Sequence, residues 1–507
     1  MKQSVLILLF LFAVPFVGFA QLDKPLRAEV TVSSDYYPFS LINLEKKGVL
    51  LHTAIGDANK STSGNVQDFL FYDVYLNQKW QLKTQFPTEY AVINHALDGE
   101  VLHLILRNQI YRSTLTPTLL MRVNLLEGSF AVDTLYSLSK IPTAAGFTHQ
   151  SRVWLVQVDR GECAVNTAKI GDTLVFKYDF PKFSSQEVVD AALDTVSQKL
   201  AVLYADDTRR DEFFTLAIFD TLANLIHSSE VKLNDESRPV QAKLRFDKKG
   251  QLFIYGTFNL TSERQRTEGP DRLQVSTGFF NMAFNGTSAQ LLRVQNFADF
   301  DSVDQRFSAD QLQVLQHKRN RRQKAFSLDI LSPFHVKMWD DKSLLFGESI
   351  MPQYKTTTET YYDYYGRVVP YTTSVFDGYR FNDAFVWILD TNGILQKNYV
   401  SDISTALNTR NLATKTAYFI GESETIILFA NATNVFYKTL LPYETSYQTL
   451  KLQPLHRGDK VVEDTDSRIL QWYDTHFLVY GYQTIQNNNL RGSTKRIIFY
   501  LSKVSLD

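Results

Sequence analysis

The feature that most constrains this chain is a pair of β-hairpin patterns that alternate along almost its whole length. The first pattern runs apolar strand, tight acidic or glycine turn, apolar strand. It is clearest in Leu41–Ala54, "LINLEKKGVLLHTA", and Ala242–Gly256, "AKLRFDKKGQLFIYG". Further copies begin at Tyr90, Phe147, Val189, Phe334, Ala417 and Arg468. The second pattern often opens on paired aromatic or aliphatic residues and turns at Asp, Asn or Gly. Examples are "FFTLAIFDTLANLIHSS" from Phe213, "FFNMAFNGTSAQLLRV" from Phe279 and "FVWILDTNGILQKNYV" from Phe385. Short runs rich in Val, Ile, Leu, Phe and Tyr between polar turns read as strands. Eight hairpins of the first kind each precede one of the second, so four strands recur about every 61 residues on average.

Four-stranded units in series resemble the blades of a β-propeller. The signature dipeptides of WD40 and kelch repeats are missing, so the resemblance is to the architecture and not to a named family. The expected fold is all-β: one propeller domain over residues 21–507, with eight four-stranded blades and seven as the alternative count. The last unit has only three strands, while a spare strand, "RAEVTV" at 27–32, precedes the first hairpin. Open sheet edges are a liability. Residues 27–32 are therefore expected to complete the last blade and close the ring.

In a propeller, turns within hairpins lie on one face. Loops joining strands two and three, and loops joining blades, lie on the other. Three long segments of the latter kind, at 259–276, 296–331 and 352–383, come from the fifth and sixth units. They are expected to gather on one face over one sector, and long loops in compact domains tend to carry function. The first is polar. The second is expected to contain a helix, with a capping-box pattern at Ser308 and Gln311, that ends in "HKRNRRQK" at 317–324. Lys318, Arg319, Arg321 and Arg322 are candidate anion or partner contacts there, the plainer reading being a solvated helix end. The third, "QYKTTTETYYDYYGRVVPYTTSVFDGYR", is rich in tyrosine. Tyr361, Tyr362, Tyr364, Tyr365, Tyr371 and Tyr379, with Arg367 and Arg380, are candidate ligand or partner contacts. Tyrosine combines a flat apolar face with a hydrogen-bonding tip, which suits sugars and proteins alike. The plainer reading is that these side chains anchor the loop to the propeller.

Composition excludes several classes. A chain that is 44% hydrophobic with net charge −1 is globular rather than disordered, and lacks the basic surplus of a nucleic-acid binder. A lone cysteine, Cys163, rules out an internal disulfide framework and a cysteine-rich zinc site. It is read as lying in a loop. The N-terminus has a lysine, an apolar run from Val5 to Phe19, and small residues at Gly18 and Ala20. This is the pattern of a secretory signal over 1–20, cut near Ala20–Gln21, so a secreted or periplasmic location is expected. The run is shorter than a membrane span, and no later run is longer. No transmembrane segment is expected.

No nucleophile elbow, zincin motif, P-loop or EF-hand loop occurs. The nine histidines never fall at metal-ligand spacing, so no metal and no cofactor are expected. His95, His149 and His335 lie on or beside innermost strands, as buried or turn residues by the plainer reading. Asp390-Thr391-Asn392-Gly393 is a hairpin turn rather than a calcium loop. A carboxylate pair for glycoside hydrolysis cannot be nominated from sequence.

The reading is an exported, monomeric, non-enzymatic binding or scaffold module that recognises a protein or glycan through its insertions. The alternative is a secreted carbohydrate-active enzyme, hydrolase or lyase, with its site at the channel mouth. A broad aromatic surface favours the first. A deep pocket with two close carboxylates, or with His, Tyr and Arg, favours the second.

Overall fold

The computed structural model describes residues 26–32, 38–55, 66–86, 90–108, 117–135, 143–159, 162–171, 176–179, 186–206, 213–260, 267–268, 273–300, 335–339, 342–404, 408–409, 412–422, 424–441, 446–456, 458–487 and 495–506. The signal-like segment 1–20 and the basic cluster Lys318, Arg319, Arg321 and Arg322 lie outside them, as does most of the 296–331 insertion.

Eight four-stranded antiparallel sheets follow one another along the chain. They begin at Ser40, Tyr90, Thr143, Gln186, Ser237, His335, Thr416 and Asp459, and are called blades 1 to 8 below. Burial explains their order. Second and third strands such as Val49–Ile55, Val66–Tyr72 and Leu252–Leu260 are buried almost throughout, because a neighbouring blade covers each face. Fourth strands such as Gln78–Gln85 and Leu225–Lys232 alternate exposed and half-buried residues, as strands with one solvated face do. First strands of successive blades touch one another: 2 with 3, 3 with 4, 4 with 5, and 7 with 8. They are therefore innermost, and the fold is a β-propeller. Apolar clusters lie between neighbouring blades, among them Leu50, Phe69 and Leu104 between blades 1 and 2, and Leu203, Leu244 and Phe280 between blades 4 and 5.

The spare N-terminal strand takes its expected place. Leu26–Thr31 pairs antiparallel with Lys495–Ser505 and is the fourth strand of blade 8. Arg27 fastens it, with Nη2 on Gln483 at 2.7 Å and the guanidinium 4.6 Å above the Tyr500 ring, while its Nε meets Glu29 of the same strand at 2.7 Å. Blades 8 and 1 share an apolar cluster that includes Ala28, Leu51, Trp472 and Phe499.

Two expectations change. Cys163 lies not in a loop but on Glu162–Lys169, the third strand of blade 3. That strand hides in the sequence because its interior residues are small or polar: Ala164, Asn166, Thr167 and Ala168 are all buried. The 352–383 insertion is not irregular either. Lys342–Tyr362 and Val368–Asp390 are single long strands, paired from Lys342–Asp390 out to Tyr362–Val368. Beyond the blade they continue as a two-stranded ribbon. Of the first insertion, Thr267–Glu268 pairs with Leu273–Gln274 as a small hairpin.

Candidate functional site

Threonine, valine and tyrosine, the residues that populate 354–376, favour extended backbone and pleated pairing. That composition lets the ribbon run roughly 30 Å past Pro352 at the usual rise per residue. Register shifts between Glu348 and Ile350, and between Gln353 and Tyr354, sit where it leaves the blade. Such bulges bend a strand and increase its twist. Side chains lace the ribbon together: Lys355 Nζ meets Asp377 at 2.9 Å and the Thr357 and Thr373 hydroxyls meet at 3.0 Å.

The tip is a defined turn. Asp363 Oδ1 accepts from the N–H groups of Tyr365 and Arg367, each at 2.9 Å, and its Oδ2 accepts from Arg367 Nε. Gly366 supplies the left-handed position with φ of 73°. These donors hold the Asp363 carboxyl below its ordinary range. The same device closes blade turns at Asp73, Asp220, Asp247 and Asp390. Asp390 is thus a turn residue, with its carboxylate committed to the N–H groups of Asn392 and Ile394.

Period-two alternation divides the tyrosines. Tyr361 and Tyr371 fall on one face of the ribbon, beside Val369 and Val375. Tyr354 and Tyr362 fall on the other, with Val368. Tyr364 and Tyr365 cap the turn as a T-shaped pair with ring centroids 5.5 Å apart, and Arg367 lies 5.3 Å from the Tyr365 ring. Tyr361, Tyr362, Tyr364, Tyr365 and Tyr371 are between 53% and 96% exposed, so they do not anchor the segment to the propeller. Tyr379 does: it is fully buried, packs against Phe376 at 4.9 Å and belongs to the blade 6 core, so it is no surface contact. Arg380 beside it is exposed, at the root of the ribbon rather than near its tip.

A second feature lies among the innermost strands. Between those of blades 6, 7 and 8 is a cavity of about 430 Å³. Blade 6 contributes His335 and Lys337, blade 7 Thr416 and Tyr418, and blade 8 Arg468 and Gln471, with Phe346 and Tyr480 from second strands. His335 Nε2 bonds the Thr414 hydroxyl, and its ring stacks on Phe346 at 5.2 Å. Burial, with Lys243 and Arg245 nearby, lowers His335 to about 4, leaving a neutral imidazole. Lys337 Nζ donates to Gln471 Oε1, and burial lowers its ammonium to about 8 against the opposing pull of Glu45. Arg468 Nη2 meets Asp466 at 2.5 Å, and Lys415 meets the same carboxylate at 2.8 Å. Tyr480 hydrogen-bonds Arg468, and burial raises its phenol.

Below this surface Glu348, 1% exposed, accepts from the Lys415 and Thr416 N–H groups and from the Thr416 hydroxyl. It ties blade 6 to blade 7. Burial raises its carboxyl despite these donors. No Asp or Glu is among the described residues lining the cavity. The structure thus gathers His, Tyr and Arg there but not a carboxylate pair.

His335 is on an innermost strand as expected from sequence, and so are His95 and His149. Lys337, Arg468, Gln471 and the two tyrosines were not anticipated. Their signal is positional: polar residues interrupting apolar first and second strands of consecutive repeats. Among the described residues no helix is long and apolar enough to cross a membrane.

No protein-family model and no curated protein matches this chain. Among solved structures it is similar to the polysaccharide lyase Uly1, at 8% identity over 82% of this chain and 90% of that one, with a TM-score of 0.40. It is also similar to the Dos1 propeller, at 9% identity over 80% and 89%, TM-score 0.38. A third is the β-propeller domain of the Trilobed protease from Pyrococcus furiosus, at 8% identity over 81% and 93%, TM-score 0.34. What this chain shares with such structures is the β-propeller fold.

Proposed function

We propose that this chain is an exported binding module whose blade 6 ribbon is gripped by a protein partner; the secreted carbohydrate-active enzyme stays the second reading, favoured by the cavity that gathers His335, Tyr418, Tyr480 and Arg468. The observation that carries this is the two-sided exposure of the ribbon's tyrosines. A glycan platform ranges aromatic faces along one surface. Here Tyr361 and Tyr371 face one way, Tyr354 and Tyr362 the other, and Tyr364 and Tyr365 cap the end. A partner that uses them all must enclose the ribbon, which a folded protein does and a sugar chain does not. Charge is largely paired within the ribbon, through Asp363–Arg367 and Lys355–Asp377, so the contact is aromatic and backbone-mediated. An isolated two-stranded ribbon is marginally stable in water. A partner strand added along its edge would supply the missing backbone pairing.

The test places a photo-crosslinking residue at Tyr364 in the full chain, expressed in its own host. A single discrete adduct with a protein is expected, lost when Tyr361, Tyr362 and Tyr371, which stand exposed on the two faces of the ribbon, are changed to Ala in the chain that carries the crosslinker. No adduct from position 364 or position 362, in a chain that folds, would overturn the proposal. So would binding on a glycan array that is lost with the same ribbon substitutions. N-terminal sequencing of the chain recovered from that host tests export, with Gln21 expected as the first residue.

A further inference from the structure

We propose that the cavity between blades 6, 7 and 8 binds a sugar carrying a carboxylate, a uronic acid unit. The site is separate from the ribbon and stands on different observations. The first is charge. Lys337 and Arg468 both line the cavity, and Lys243 and Arg245 add positive potential at His335. Of the carboxylates around it, Asp466 is committed to Lys415 and Arg468, Asp190 to Lys243 and Arg245 and Glu348 to backbone amides, while Glu45 acts on Lys337 from outside the lining. The described lining itself contributes no acid. Such a pocket favours an anion.

The second observation is an unused donor. Arg468 spends Nη2 on Asp466, yet its Nε is buried with no hydrogen-bond partner. A buried guanidinium N–H without an acceptor is costly, and an incoming oxygen would remove that cost. A guanidinium edge beside an ammonium suits a carboxylate.

The third is the wall. Phe346 and Leu470 present apolar surface, while Thr414, Gln471 and Tyr480 offer hydroxyl and amide groups. Mixed lining of this kind fits a pyranose, which has carbon-bound faces and a rim of hydroxyls. The volume falls within the range of small-molecule sites.

The test is calorimetric titration of the full chain with D-glucuronate, D-glucose and inorganic phosphate, repeated on Lys337→Met and Tyr480→Phe. Glucuronate binding is expected, with glucose weaker by about tenfold or more, the usual worth of a charged hydrogen bond. Lys337→Met should lose about the same factor while keeping the wild-type melting temperature. If that variant misfolds, Tyr480→Phe reads the site instead and should bind several-fold more weakly. Absence of glucuronate binding up to about 20 mM, beyond millimolar affinity, overturns the proposal. So does equal affinity in both variants, and so does phosphate binding as tightly as glucuronate. The ribbon substitutions should leave glucuronate binding unchanged, which separates failure here from failure of the partner reading.

Discussion

The indole N–H of Trp472, on the first strand of blade 8, donates to the carbonyl oxygen of Gly48, at the turn of blade 1, across 3.0 Å. Nearby, Asn43 Nδ2 donates to the carbonyls of Gln471 and Trp472 at 3.2 Å. Gly48 has φ of 135°, and a Cβ there would lie 2.1 Å from the Tyr72 carbonyl oxygen. Glycine is thus required where the indole arrives. Its carbonyl also accepts from Leu44 N–H, so removing the indole does not orphan it. Trp472→Phe is therefore expected to cost only about 1 kcal/mol for the hydrogen bond, plus the lost ring area. Gly48→Ala should cost more, because backbone must move. In a double-mutant cycle by chemical denaturation the two losses should fall short of additive, since displacing Gly48 already breaks the bond.

The N-terminal strand protects an edge. Without it, Lys495–Ser505 would present one open row of backbone groups, and Ala28 and Val30 would leave the cluster between blades 8 and 1. A chain starting after residue 32 is expected to melt lower and to elute as soluble aggregate on gel filtration. A synthetic peptide covering 26–32 should restore the wild-type elution by strand addition. A truncated chain that stays monomeric with unchanged melting would remove that role.

The sequence exposed the blades because their central strands are covered on both faces and must be apolar, as in Val49–Ile55 and Leu252–Leu260. It hid Glu162–Lys169 because small and polar residues fill that strand. It exposed the tyrosines but not their arrangement: a ribbon and an irregular loop share the same Thr, Val and Tyr composition, and only pairing register sends Tyr361 and Tyr362 to opposite faces. The cavity residues were the least legible. Lys337, Tyr418 and Arg468 come from three repeats, and nothing local distinguishes a lysine on an inner strand from one on an outer strand.

The ribbon should be dispensable for folding. Beyond Phe376, which rests on the blade 6 core, its side chains contact mainly one another. Replacing residues 356–374 with Asn-Gly keeps the Lys355–Val375 pair as the closing pair of a short hairpin. The melting temperature is expected to move by less than about 2 °C, the scale of a fraction of a kcal/mol. A larger drop would make the ribbon part of the fold and not an appendage.

Glu348 is the opposite case. Glu348→Ala would strand the Lys415 and Thr416 N–H groups and the Thr416 hydroxyl in a buried site. Each orphaned group costs about 1–3 kcal/mol, so a loss of about 3 kcal/mol or more is expected in denaturant unfolding. A loss below about 1 kcal/mol would mean that water replaces the carboxylate.

Opposite pH dependences are expected from the two titratable groups of blade 6 that line the cavity. His335 titrates at about 4 in the folded chain, below its ordinary value of 6.5, because burial and the Lys243 and Arg245 charges disfavour the imidazolium. Between these values the unfolded chain holds the extra proton, so stability falls as pH drops from 6.5 toward 4. His335→Gln should flatten that limb, read as unfolding midpoints at pH 4.5 and 7.5. Lys337 titrates at about 8, below its ordinary 10.5, with burial opposed by Glu45. Its cavity neighbours are His335, Arg468, Tyr418 and Tyr480, and Gln471 Oε1 accepts its hydrogen bond. Arg468 keeps its charge, and burial raises both phenols, so neither group should ionise near pH 8. Lys337 alone among them changes charge there. Glucuronate affinity should therefore be flat from pH 6.5 to 7.5 and fall as pH rises through about 8. Lys337→Arg, which stays charged, should abolish that fall. A fall that persists in the arginine variant would assign the titration to another group and remove the ammonium from the site.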